Sequence, residues 1–217
     1  MTSTVVNPGP PDISEPDGGP LTQGPYRALP TTADTFTREC HVDELAYLAG
    51  ADPVEFRLGL LDDARLAAVT RAAARRFGWW SAPCPAGRPA LWAKGWLRCG
   101  AGIAAGLEQG RRVATCAQVR PDGAGQLGVT RIVTAYECGA AADRLAVISQ
   151  IRAGTVMALD AADPPEVEVV LLDRPDLPSA GVGETPLIAL APAIANAIFA
   201  VTGWRPPPEG ARCLLSQ

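Results

Sequence analysis

The run LIALAPAIANAIFAV, residues 187–201, constrains this chain more than any other stretch. Its 15 residues contain one polar side chain, Asn196, and one proline, Pro192. A helix apolar almost all round must be packed on every side, so the rest of the chain has to enclose it. As a membrane span it is too short and too interrupted, because crossing takes about 20 apolar residues.

The residues just upstream, SAGVGETP (179–186), form a turn. Gly181 and Gly183 let the backbone take positive φ or come close to another group. Thr185 and Pro186 suit the N-cap and first turn of a helix, with Ala191-Pro192 as the alternative start. Glu184 therefore stands near the positive end of a helix, where the chain is about to enter the interior. A buried carboxylate is costly unless it is paired or put to use. At the mouth of a dry site it could act as a general base; the plainer alternative is a helix cap or a partner for an arginine.

Charge narrows the classes. A net charge of −4, with no basic block or stripe, argues against nucleic acid and anionic membranes as partners. A hydrophobic content of 47% excludes global disorder. The N-terminus shows no basic region followed by an apolar core, so no signal peptide is expected and a cytoplasmic location is. The cysteines Cys40, Cys84, Cys99, Cys116, Cys138 and Cys213 have no C-x-x-C spacing, so neither zinc nor an iron–sulfur cluster is expected in this chain. Their apolar surroundings suit free thiols in a reducing compartment. His41 is the sole histidine, which argues against a histidine-rich metal site and a Ser-His-Asp triad; it is expected to be an ordinary, partly buried side chain.

Along the chain, residues 1–30 read as a Pro/Gly-rich extended arm and 31–217 as one α+β unit. Residues 37–80 are its helical part. Val42, Leu45, Ala46 and Ala49 mark a first helix that Gly50 stops. Asp52-Pro53 starts a second. A third, from Asp63 to Phe77, carries Leu66, Val69, Ala73 and Phe77 on one face. Residues 90–217 are mixed. Strand-like runs fall at 98–107, 112–120 and 127–136, with PDGAGQ as a hairpin loop. A helix over 143–160 has Leu145, Ile148, Ile151 and Val156 apolar, and VEVVLL (167–172) reads as a strand. GLEQG (106–110) reads as a surface turn.

Several of these stretches, in order, resemble the C-terminal part of the molybdopterin-binding large subunits of the xanthine oxidase family, the isoquinoline 1-oxidoreductase-like branch in particular. G-V-G-E-x-P followed by APAIANAIFAVTG is one. YRALPTTADTFTRECHVDELAYLAGADPVEFRLGLLDD is similar to the family's arginine-bearing loop, D-E-L-A helix and D-P-x-E-F-R-L helix. TAYECG and SQIRAGTVMAL fall where the family has a strand-to-turn and a Q-x-E-G-G helix start. The resemblance spans most of 25–215 and implies a partial molybdenum cofactor-binding domain of the xanthine oxidase/aldehyde oxidase type.

The family hydroxylates a carbon beside a ring nitrogen, or an aldehyde carbon, with oxygen taken from water. The metal is held by a pterin dithiolene, a glutamate serves as base, and electrons leave through iron–sulfur clusters on another chain or domain. Carried over, the base is Glu184, Gly181 and Gly183 shape the approach to the metal, Gln150 contacts the pterin, and Arg27 matches the arginine near the active site. Family loops of the G-G-G-F-G and M-G-Q-G kind are absent. Pro30 replaces a glycine, Arg152-Ala153-Gly154 stands for Glu-Gly-Gly, and the segment before VEVVLL is short. Two readings follow. One is a subunit of a split molybdenum hydroxylase, sharing its cofactor with a larger molybdopterin-binding chain, with an iron–sulfur subunit as the electron path and a small heterocyclic or aldehyde substrate. The other is a degenerate structural or assembly subunit of such a complex.

Overall fold

The computed structural model describes residues 30–81, 99–121, 127–159 and 163–205. The expected Pro/Gly-rich arm, Arg27 and most of the PDGAGQ loop lie outside them. The described chain is α+β, as the sequence predicts. Its elements are α1 (Pro30–Leu48), α2 (Pro53–Leu60), α3 (Ala64–Phe77), β1 (Gly100–Glu108), β2 (Arg111–Pro121), β3 (Leu127–Glu137), α4 (Arg144–Leu159), β4 (Glu166–Leu171), a 3-10 turn (Thr185–Leu187) and α5 (Leu190–Thr202). The sheet order is β1-β2-β3-β4. The first three strands form an antiparallel meander, and α4 crosses over to bring β4 in parallel beside β3.

Local chemistry sets the helix ends. Asp52 caps α2, its Oδ1 accepting from the Val54 and Glu55 amides at 2.8 and 3.1 Å. Asp63 does the same for α3 through Arg65 and Leu66, and Gly78 closes that helix at φ +76°, a conformation that favours glycine. Between β1 and β2, Gln109 and Gly110 both take positive φ. Only these two residues of GLEQG form the turn, a two-residue hairpin loop whose twist suits the strands it joins; Gly106–Glu108 belong to β1, with Gly106 and Glu108 buried, which corrects the expectation of a surface turn over the whole stretch.

Helices cover both faces of the sheet. On one, α3 buries Leu66, Val69, Ala73 and Phe77 against Ala101, Ile103, Ala114, Cys116 and Val133; each large side chain taken from water contributes about 1.5–3 kcal/mol. Ion pairs rim this face. Arg65 forks onto Glu137 at 2.6 and 2.7 Å, Arg112 bonds Asp63, and Arg131 and Arg76 both pair with Glu168.

On the other face lies α5. Gly100, Gly102 and Gly106 alternate along β1, and a Cβ on Gly102 would sit 2.2 Å from the Ala197 nitrogen and 2.3 Å from the Ala193 carbonyl oxygen. Strand and helix backbones thus meet with nothing between them. The window 185–202 is apolar enough to be a membrane-span candidate on length and hydropathy, yet 78% of it is buried inside the protein. Its helical part, only 13 residues, is the core element the sequence demands.

Some expectations are corrected. The first helix begins at Pro30 rather than near Thr37. Tertiary contacts hold this polar stretch: Phe36 packs with Cys40 and Ala195, and Thr31 donates to Glu108 at 2.7 Å. The inward face of α1 includes Glu39 and Asp43 rather than Leu45, which is exposed. Their charges meet Arg57, itself 3% exposed: its Nε lies 3.0 Å from Glu39 and its Nη1 3.5 Å from Asp43. Arg57 also donates to the Glu39 and Pro53 carbonyls. The arginine of D-P-x-E-F-R-L is thus the buried bolt between α1 and α2. In α4 the buried residues are Ile151, Thr155 and Leu159, whereas Leu145 is 76% exposed. His41 is exposed rather than partly buried. Cys40, Cys116 and Cys138 are free and buried, burial pushing the Cys40 thiol up to about 11. Cys99 departs from the free-thiol expectation, because it is disulfide-bonded.

Candidate functional site

The GVGE turn sits where the hairpin end of β1 and β2, the C-terminal end of β3, and α5 converge. Gly181 and Gly183 both take positive φ, +69° and +57°, so each glycine is used as the sequence suggests. Three strand residues grip the turn. Arg111, at the start of β2, donates from Nε and Nη2 to the Ala180 carbonyl at 2.8 and 2.6 Å, and from Nε to the Gly181 carbonyl at 3.2 Å. Tyr136, in β3, donates its hydroxyl to the Val182 carbonyl at 2.6 Å and the Gly181 carbonyl at 3.2 Å. Burial holds that phenol well above its ordinary range, so it remains a donor. Glu108, buried at the end of β1, accepts from the Thr185 hydroxyl at 3.1 Å. From the other side, the Ala180 amide donates to the Cys138 carbonyl at 2.8 Å.

Glu184 itself is exposed. It stands at the N-cap position of the 3-10 turn, but its side chain makes no capping bond. Among the described residues its carboxylate has no hydrogen bond or ion pair. The expected burial of this carboxylate is therefore corrected, and so are both plainer roles, helix cap and arginine partner. The Arg111 nitrogens are already engaged by Ala180, Gly181 and Gln109. The expected capping role of Thr185 gives way to a bond with Glu108, and α5 begins only at Leu190.

Gln150 is exposed on α4, a helix that packs beside the 3-10 turn. Among the described residues its side chain makes no hydrogen bond, to Glu184 or to any other group. Arg152, its near neighbour, is also exposed. Arg27 lies outside the described residues. A cleft of about 570 Å³ lies elsewhere, lined by Phe77, Gln118, Arg120, Thr130, Arg131 and Glu166, near the opposite end of β2 and β3 from Arg111 and Tyr136. No group of three or more His, Cys, Asp or Glu side chains that could hold a metal occurs among the described residues.

Sequence reasoning misses Arg111, Tyr136 and Glu108. Tyr136 and Glu108 lie inside the stretches TAYECG and GLEQG, but nothing local links them to a turn some 45 to 77 residues away.

No family model matches the chain. A nicotinate dehydrogenase polypeptide of Pseudomonas putida is 29% identical over 228 aligned positions, which cover 87% of this chain and 19% of that protein. The chain resembles the molybdenum hydroxylases of the xanthine oxidase family. It spans about a fifth of the length of the curated relative it matches. Among solved structures, the aldehyde oxidoreductase of Desulfovibrio gigas is 28% identical, with a TM-score of 0.39, over 49% of this chain and 16% of that one. Quinoline 2-oxidoreductase of Pseudomonas putida 86 is 20% identical, with a TM-score of 0.36, over 41% and 15%.

Proposed function

We propose that this chain is a subunit of a split molybdenum hydroxylase and supplies the glutamate base of its active site. The observation that carries this reading is the state of Glu184: an exposed carboxylate without a partner among the described residues, on a turn whose backbone is held by side chains of β2 and β3 and whose Thr185 hydroxyl is held by Glu108 of β1. A side chain serving only stability would be expected to cap or pair, and this one does neither. An unpartnered carboxylate on a rigid backbone is what proton abstraction asks for.

In this reading the turn and α4 would form one wall of a cofactor cleft. Glu184 and Gln150 present an acid–base group and an amide on neighbouring elements. When bound, the molybdenum–pterin cofactor would supply a Lewis acid that lowers the pKa of water-derived oxygen and an acceptor for the electrons. Gln150 would hold the pterin, Gly181 and Gly183 would keep the approach open, and Glu184 would take up the proton on its carboxylate. The other cofactor loops would come from a larger molybdopterin-binding chain, and the electron path from an iron–sulfur subunit. The substrate class is a small N-heterocycle or aldehyde. A cytoplasmic location belongs to the same reading, and the Cys99 disulfide is a feature a reducing compartment disfavours.

Replacing Glu184 with Gln in the assembled complex tests the role: molybdenum content should be retained and turnover lost by at least two orders of magnitude, as expected for a positioned base. The second reading, a non-catalytic assembly subunit, draws on exposed Arg152, a cation where the resemblance has an acid. Full turnover of Glu184→Gln would favour it.

A further inference from the structure

We infer that Arg111 is a positioning residue for Glu184, acting with Tyr136 as a clamp on the backbone of the turn; this rests on the reading of Glu184 as the base. Three consecutive carbonyls, of Ala180, Gly181 and Val182, are taken by the donors of these two side chains. Arg111 reaches two of them because its donors form a rigid planar fork, a geometry an ammonium group lacks. Its Nη1 is steadied by Gln109 at 2.9 Å. The guanidinium also fills the space beside Gly183: a Cβ there would lie 3.1 Å from Nη1 and 3.2 Å from Cζ. Glycine at 183 is favoured by its φ of +57°, and a side chain there would also press on the guanidinium.

The consequence reaches Glu184 through the chain. Residues 180 to 182 are pinned by their carbonyls, and Thr185 by its hydroxyl on Glu108. Between the two anchor points only Gly183 and Glu184 remain, so the direction of the Glu184 side chain follows from a backbone held on either side. A turn built on two positive-φ glycines would otherwise sample many conformations. Arg111 does this without touching the carboxylate, which leaves the base free to take a proton.

The test uses the full chain and the assembled complex in parallel. Hydrogen exchange is followed by mass spectrometry on overlapping peptides covering 177–190, where the Ala180, Leu187 and Ile188 amides donate to the Cys138, Glu184 and Thr185 carbonyls, in the wild type, Arg111→Met, Arg111→Lys, Tyr136→Phe and Glu184→Gln. Arg111→Met should speed exchange of the turn about tenfold, the expected effect of losing hydrogen bonds of this kind, while β2 and β3 exchange at wild-type rates. Arg111→Lys should not restore protection, and Tyr136→Phe should give a smaller change in the same direction. Glu184→Gln should leave exchange unaltered. In the complex, Arg111→Met should lower kcat about tenfold or more at unchanged KM. Wild-type exchange in both Arg111→Met and Tyr136→Phe overturns the clamp. A loosened turn with undiminished kcat, alongside an inactive Glu184→Gln, overturns the positioning role. Full turnover of Glu184→Gln overturns the base reading instead, and the exchange data then still decide separately whether Arg111 and Tyr136 hold the turn.

Discussion

Gly102→Ala should be among the most damaging single-methyl additions in this chain. The new Cβ would stand 2.2 Å from the Ala197 nitrogen, 2.3 Å from the Ala193 carbonyl oxygen and 2.7 Å from the Asn196 carbonyl carbon. Carbon contacts settle near 3.5–4.0 Å, so α5 would have to retreat by roughly 1 Å or more. All three obstacles are backbone atoms, and no rotamer change relieves them. Retreat would also strain the bond from Asn196 Nδ2 to the Ile103 carbonyl, now 2.9 Å. Overpacking costs about 1–3 kcal/mol, and a clash with backbone on a buried face belongs at the top of that range. At about 2–4 °C per kcal/mol for a chain of this size, the midpoint should fall by roughly 6–12 °C. Gly154→Ala is the matched control. Gly154 lies inside α4 with open space around its Cβ position, and alanine there should add about 0.5–1 kcal/mol. Thermal unfolding followed by circular dichroism separates the two. If Gly102→Ala melts with the wild type, or no lower than Gly154→Ala, the close docking of α5 on β1 is wrong.

Two further perturbations probe the charged interior. Arg57→Met should cost about 3 kcal/mol in urea unfolding, the low end for breaking a buried pair, because it removes the buried cation that Glu39 and Asp43 share and leaves Glu39 with Arg38 and Asp43 with Arg205; adding Glu39→Gln should recover part of the loss. Glu137 has a depressed pKa: burial pushes it up, but the Arg65 fork and the Gly139 amide outweigh that and hold it below the ordinary glutamate value. A carboxylate whose folded pKa is lowered stabilises the fold above its unfolded pKa, about 4.3, and loses that contribution as pH falls through the folded value. Stability measured from pH 6 to pH 3 should therefore fall less steeply in Glu137→Gln than in the wild type, and equal slopes would remove Glu137 from the acid response.

Local signals in this chain are strong, and they hold where the physics is local. Asp52, Asp63 and Gly78 terminate helices through bonds to residues a few positions away, so spacing alone reveals them. The three strand runs and the crossover helix follow from periodicity. The burial of most of 187–201 follows from composition, since a helix apolar almost all round has to be packed on every side. The two glycines and the acid of GVGE are legible as a turn with a purpose.

What spacing cannot reveal depends on partners distant in sequence. Polar Thr31–Thr37 becomes helical because Glu108 and Ala195 meet it. Arg57 is, in the sequence, one letter of the D-P-x-E-F-R-L stretch with no assigned partner; α1 brings Glu39 and Asp43 to it. Glu184 reads as a buried or capping carboxylate because its neighbours in sequence are apolar. The fold instead leaves the cap unmade, engages Thr185 with Glu108, and turns the carboxylate outward. Local sequence sets which conformations a segment prefers, but whether a polar group is free, paired or buried depends on which distant atoms the sheet register brings within hydrogen-bond reach.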